Sequence, residues 1–172
     1  MSDEGRGRGR EPRAARPHMP GYGIEPAEGG KGLLPWSWAE ARLAAAHNYW
    51  VATARPDGRP HVMAVWGVWL DGAFYFSTGR DSRKARNLAA DPRCVVCTER
   101  ADEAVVVEGE AAEATDPDEL RRFVEVYRQK YDWEMDPAAG PYFVVRPVVV
   151  FGFIEHGDEF TRTATRWTFE GS

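Results

Sequence analysis

Two cysteines in 172 residues are too few for a disulfide framework. Cys94 and Cys97 stand three apart on an expected strand, where they face opposite sides, so they are expected to be buried structural residues. The four histidines, His18, His47, His61 and His156, are scattered, with no i, i+4 pair and no acidic partner at metal-ligand spacing. No Ser/His/Asp triad or close carboxylate pair is evident, which removes the usual machinery of hydrolysis. Basic charge is in deficit: 22 Lys plus Arg against 27 Asp plus Glu leave a net charge of -5. A chain so balanced is a poor general binder of nucleic acid, which demands a basic surface. No apolar run approaches the roughly 18–20 residues of a membrane span, and the N-terminus has no apolar signal core. The expectation is a cytoplasmic protein without a nucleic-acid or membrane partner. Lysine is rarer still, confined to Lys31, Lys84 and Lys130.

What is present is one domain's worth of core, with 43% hydrophobic residues. Residues 1–35 are dominated by Gly, Pro and Arg, and read as a solvated, disordered tail. The Gly-Arg alternation at 5–10 belongs to that tail. The domain is expected over 36–172. Ser37 with Glu40 resembles a capping box opening a short helix. A strand over 49–54 and the turn Pro56-Asp57-Gly58 follow, then a long strand over 61–70. Asp71-Gly72 turns into a strand over 73–78, so two hairpins run in succession. Asp81 or Ser82 caps a helix ending near Ala90, and strands are expected over 93–98 and 104–113. Leu120, Phe123, Val124, Tyr127 and Tyr131 recur at helical spacing after Asp116. Two last strands fall at 147–155 and 163–169. The sum is a mainly β fold, an antiparallel barrel with a few capping helices.

The strand over 61–70 is apolar on both faces. Val62, Ala64, Trp66, Val68 and Leu70 alternate with Met63, Val65 and Trp69. One face can line a barrel; the other needs a ligand or a second subunit. Gly67 in its middle marks a bulge or a close backbone approach.

The richest stretch for chemistry is 76–88. A strand ends in Ser77 and Thr78, a glycine loop turns, and a helix opens with Ser82, Arg83 and Lys84. Free amides, the positive end of the helix dipole, hydroxyls and two cations meet there, which suits a phosphate. The same spacing also fits an ordinary capped helix with solvated cations.

The order of these pieces resembles the pyridoxamine 5'-phosphate oxidase-like superfamily, in particular its flavin- and deazaflavin-dependent oxidoreductases. The resemblance rests on Phe76-Ser77-Thr78, Ser82-Arg83-Lys84-Ala85-Arg86-Asn87-Leu88 and Asp91-Pro92-Arg93 after two Asp-Gly hairpins. Val107-Glu108-Gly109-Glu110-Ala111 and Arg146-Pro147-Val148-Val149-Val150-Phe151 extend it over roughly residues 36 to 169. It implies a split β-barrel that forms a homodimer with cofactors in clefts between subunits. It also implies that Ser77 and Thr78 lie near the ring or ribityl chain and that Ser82, Arg83, Lys84 and Asn87 hold the phosphate. The backbone of Met63, Ala64 and Val65 would run along the ring system. The family's vitamin B6 oxidases carry basic residues at both ends of the long strand, where this chain has His61 and Trp66. That departure argues against vitamin B6 oxidation.

The implied function is hydride transfer between a deazaflavin (F-420) or flavin (FMN) and a small conjugated or aromatic substrate. An extended basic groove from Arg80, Arg83, Arg86 and Arg162 or Arg166 would favour F-420, with its longer anionic tail, over FMN. The reading from another class is a non-catalytic flavin- or haem-binding protein of the same fold. No protein acid or base is expected to be catalytic, and no metal site is expected.

Overall fold

The computed structural model describes residues 11–170, in which nine strands and four α-helices are arranged. Every strand pairing is antiparallel, and the sheet runs β1-β9-β8-β7-β6-β2-β3, with β5 joining β8 to β4. β2 (Tyr49–Ala54) and β3 (Pro60–Val65) form the first hairpin, β4 (Gly67–Leu70) and β5 (Ala73–Ser77) the second. β6 (Arg93–Thr98) and β7 (Glu103–Glu113) precede β8 (Tyr142–Ile154), and β9 (Thr165–Thr168) closes the chain. β8 organises the barrel: β7 follows its whole length, while β5 and β9 divide its other edge between them. The fold is a split β-barrel. Among the described residues, no helix is long and apolar enough to cross a membrane.

Alternation builds the interior. Along β7, Val105, Val107 and Ala111 point inward while Glu108 and Glu110 point out, as a half-buried strand requires. They meet Tyr49, Val51, Phe74, Phe76, Val145, Val150 and Trp167 in one core. A second cluster lies under α3 (Pro117–Tyr131), where Phe123 and Tyr127 pack on Val68, Tyr75, Tyr142 and Val144. Asp116 caps α3 by accepting from the amides of Asp118 and Glu119. The sequence signals for this helix and for β6 match the structure.

Three expectations are corrected. The long strand over 61–70 is broken at Trp66: β3 pairs with β2, whereas β4 leaves to pair with β5. Gly67 is the reason. A Cβ there would lie 2.3 Å from the Phe74 ring and 2.7 Å from the Tyr75 carbonyl oxygen, so only glycine lets β4 cross so close to β5. In consequence Val62, Met63 and Ala64 are all exposed, while Val68 is buried.

The helix α1 (Trp36–Ala45) is capped by Pro35, whose extended backbone stops it one residue before Trp36; Ser37 and Glu40 form no capping box. The third correction concerns the N-terminal segment. Residues 13–15 form β1, paired with β9, and Leu34 is buried in the core. The Arg16 guanidinium donates to the carbonyls of Ala164 at 2.9 Å and Glu25 at 2.9 Å, and also reaches Arg162. Residues 11–35 are therefore an edge of the barrel and not a solvated tail. The Gly-Arg run at 5–10 lies outside the described residues.

Candidate cofactor site

The site is built where α2 (Arg83–Ala90) docks on the β2–β3 hairpin. Ser82 caps the helix, its Oγ accepting from the Ala85 amide at 3.1 Å. Thr78 Oγ1 lies 3.1 Å from the same oxygen, so one hydroxyl of the pair keeps a proton to give elsewhere. The first helical hydrogen bond runs from Arg86 to Ser82, which leaves the amides of Arg83 and Lys84 ahead of the ladder. Cations in this turn oppose the helix dipole. Arg83 is exposed, but Lys84 is only 7% exposed. Burial holds the Lys84 ammonium below its usual pKa, and no carboxylate offsets that burial.

Asn87, one turn on, is fully buried and donates to Thr53 Oγ1 of β2 at 2.9 Å. Thr53 faces His61 across the hairpin. That register brings the imidazole to the mouth of α2. The His61 pKa is lowered, first by burial and then by the nearby Lys84, Arg55 and Arg83. Three buried polar atoms here lack partners: Arg55 Nε, His61 Nδ1 and Asn87 Oδ1. Asp57, in the hairpin turn, is taken up by Arg59 at 2.6 Å. The pocket thus collects four basic side chains and two hydroxyls, with no carboxylate depressing or raising the charge of either Lys84 or His61.

Thr78 and Ser82 meet at the start of α2, which carries Arg83, Lys84 and Asn87, and Ser77 ends β5 just before them. Met63, Ala64 and Val65 lie on β3, which continues from His61. Among the described residues β3 pairs only with β2, so alternate backbone groups on its other side face outward. Arg80 is engaged by Glu113 at 3.1 Å, and Arg162 by Asp158 at 2.9 Å. Arg166 sits on β9, with β8, β7 and β6 between it and β2. Of the extended basic groove expected from Arg80, Arg83, Arg86 and Arg162 or Arg166, the exposed Arg83 and Arg86 lie on α2, whereas neither Arg162 nor Arg166 is brought to this pocket.

Arg55, His61 and Thr53 carry a signal that was readable. The Pro56-Asp57-Gly58 turn sets the hairpin register, and that register alone places Thr53 opposite His61. An aromatic wall beside β3 was less legible. Trp66 stacks on Tyr131 with ring centroids 4.7 Å apart and planes 5° apart. Tyr131 Oη accepts from the Gly67 amide at 3.0 Å and lies 2.7 Å from the Gly67 carbonyl. Lys130 donates to that carbonyl at 3.0 Å and to Tyr49 Oη at 2.8 Å, and burial lowers its pKa to about 8. These residues link the end of α3 to the point where β3 gives way to β4.

An antiparallel split barrel with an unpaired strand edge beside a cluster of basic side chains defines the class of the molecule as a split-barrel protein. More particularly, the family model described as pyridoxamine 5'-phosphate oxidase matches residues 39–152, more than half of the chain. The chain belongs to that family. Among solved structures, it is similar to one titled F420 Reductase, with 28% identity and a TM-score of 0.52, covering 64% of this chain and 94% of the other. A FAD-binding protein from Mesorhizobium loti shares 22% identity and a TM-score of 0.55, over 78% of this chain and 96% of that one. A heme binding protein from Mycobacterium smegmatis shares 21% identity and a TM-score of 0.60, over 76% of this chain and 62% of that one. The last two likenesses speak for the fold alone. No curated protein matches the sequence.

Proposed function

We propose that this chain is a flavin- or deazaflavin-dependent oxidoreductase that works as a homodimer. The observation that carries the reading is Lys84: a lysine buried to 7% exposure, without a carboxylate, in the first turn of a helix. A buried cation so placed is costly unless an anion compensates it. The donors around it fit a phosphate: the Arg83 and Lys84 amides, a Thr78 or Ser82 hydroxyl, and the side chains of Arg83 and Lys84.

In the loaded state Asn87 would fit with its amide turned end for end from the arrangement seen here. Oδ1 then accepts from the Thr53 hydroxyl, and Nδ2 becomes a free donor. Met63, Ala64 and Val65 offer outward backbone donors and acceptors suited to the polar edge of a flat ring. Trp66, 40% exposed and held against Tyr131, leaves one aromatic face open beside them. Trp133 is 60% exposed, so neither tryptophan plugs the site, which favours an enzyme over a closed binder.

The bound cofactor supplies the hydride chemistry, and the protein supplies position and electrostatics. This chain's part is to anchor the phosphate at α2, to align the ring edge along β3 and to offer Trp66 as a stacking surface to a small conjugated substrate. F-420 is favoured over FMN by the likeness to the F420 reductase.

A second subunit completes the cleft. The outer face of β2, β3 and β6 exposes Trp50, Val62 and Ala64. A groove of about 420 Å³ continues it past Ala52, Ala54, Val95 and Val148. Uncovered apolar area of this kind is unusual on a monomer.

The test is titration of wild type and Lys84→Ala with F-420, FMN and riboflavin, followed by fluorescence. Losing one charge-assisted contact of roughly 1.5–3 kcal/mol should weaken F-420 and FMN about ten- to a hundredfold, and riboflavin little. Unchanged affinity for both phosphorylated cofactors would reject the reading.

A further inference from the structure

The pocket holds more base than a phosphate anchor needs, and one of its bases is a histidine, the side chain whose charge is most readily switched by its surroundings. His61 comes from β3, Arg55 from the end of β2, Arg83 and Lys84 from α2. These cations are the charged groups acting on the imidazole; Asp57 of the hairpin turn acts on Arg55, but among the described residues no carboxylate acts on His61 or Lys84 themselves. Its Nδ1 is buried without a hydrogen-bond partner. In the free protein, a proton on His61 would join three positive charges in a partly dry site. A phosphate placed among the four reverses that balance, because each oxygen accepts and the anion repays the added charge.

From this arrangement we infer that His61 takes up a proton when the phosphate of the cofactor binds, so that loading of the site is pH-dependent. The inference rests on the phosphate reading of the α2 pocket and adds its regulation. The sign follows from geometry: the anion-bound state holds the proton more tightly than the free state. Affinity is therefore greatest at low pH and falls as pH rises between the free and bound titrations of His61, by at most about tenfold per pH unit. In the free protein the imidazole already titrates below its usual range, for the causes given above.

The experiment is calorimetric titration of the intact protein with F-420, whose phosphodiester does not titrate near neutrality. Runs in two buffers of different ionisation enthalpy count the protons taken up. Wild type should take up more protons between pH 6 and 7 than His61→Asn, neutral and similar in shape around Nδ1, and the difference between the two is the share of His61. Riboflavin, lacking phosphate, should show no uptake with either protein. NMR titration of the His61 imidazole in wild type gives the same answer without a variant: its pKa should rise on loading. Binding of F-420 with no proton uptake and an unmoved His61 titration overturns the coupling and leaves the cofactor reading standing. No binding of F-420 or FMN overturns both.

Discussion

Asn87 Nδ2 donates to Thr53 Oγ1 across 2.9 Å, and this buried bond joins α2 to the β2–β3 hairpin beside the apolar packing of Ala85 and Leu88. Both side chains lie in the interior, and Asn87 already has one unpaired oxygen. Thr53→Val keeps the volume and removes the acceptor, leaving both ends of the amide unsatisfied. The expected cost is about 1–3 kcal/mol of stability, read from denaturant unfolding. Cofactor affinity should fall as well, because this contact helps to hold α2, with Lys84, beside the strand pair that carries His61. A Thr53→Val protein with unchanged stability would mean that α2 is held by its apolar face alone.

Arg16 ties the N-terminal segment to the barrel through the carbonyls of Glu25, Ala164 and Arg162. These bonds are partly exposed, so the expected loss in Arg16→Ala is about 2 kcal/mol, with the melting temperature lower by roughly 4–8 °C. Truncation at Leu33 should cost at least as much, since it also removes β1 from the edge of β9. Differential scanning calorimetry of both proteins checks this. Equal melting temperatures for wild type and truncation would return residues 11–33 to the status of a tail.

That segment marks where the sequence stopped being legible. β6, α2 and α3 announce themselves through apolar periodicity, caps and an Asp-Pro stop, and the hairpins through Asp-Gly turns. β1 has only Arg13, Ala14 and Ala15, and it is held by ladder bonds and one guanidinium, neither of which leaves a hydropathy trace. The Ser82–Asn87 part of the site was readable because helix capping and charge are local. The contribution of Arg55 and His61 needed the hairpin register, and that of Lys130 and Tyr131 needed tertiary packing. The break at Trp66 escaped because an apolar run reads the same whether it follows one partner or changes to another; Gly67 was its only mark.

Lys130 gives a pH signature. Burial lowers its pKa to about 8 in the folded protein, against an ordinary 10.5. A cation depressed on folding destabilises the native state while charged, so this penalty is full below about pH 8. Stability should therefore rise as pH goes from 8 towards 10.5. Lys130→Met should be at least as stable as wild type at pH 7 and should lose that rise. Neither acceptor is stranded, because Tyr49 Oη still donates to Leu43 and Tyr131 still reaches the Gly67 carbonyl. Urea unfolding at pH 7 and pH 9.5 for both proteins decides it. A wild-type curve flat over that range would show that the ammonium is solvated in the native state.

Trp50 is 48% exposed and Val62 53%, and they share one face of paired strands, where Trp50 faces Ala64 and Val62 faces Ala52. A lone subunit would keep this surface in water at about 25 cal/mol per Å² of apolar area, so covering it drives association. Wild type should sediment as a dimer at micromolar concentration. Trp50→Glu places a charge at the centre of the patch, where burial against a second copy would strand it; the expected result is a monomer with an intact fold by circular dichroism. Because β3 also carries Met63, Ala64 and Val65, the monomer should bind F-420 and FMN at least tenfold more weakly than the dimer. Wild type sedimenting as a stable monomer removes the homodimer from the proposal. A Trp50→Glu monomer that binds cofactor as tightly as wild type separates the two properties, and leaves the whole site on one subunit.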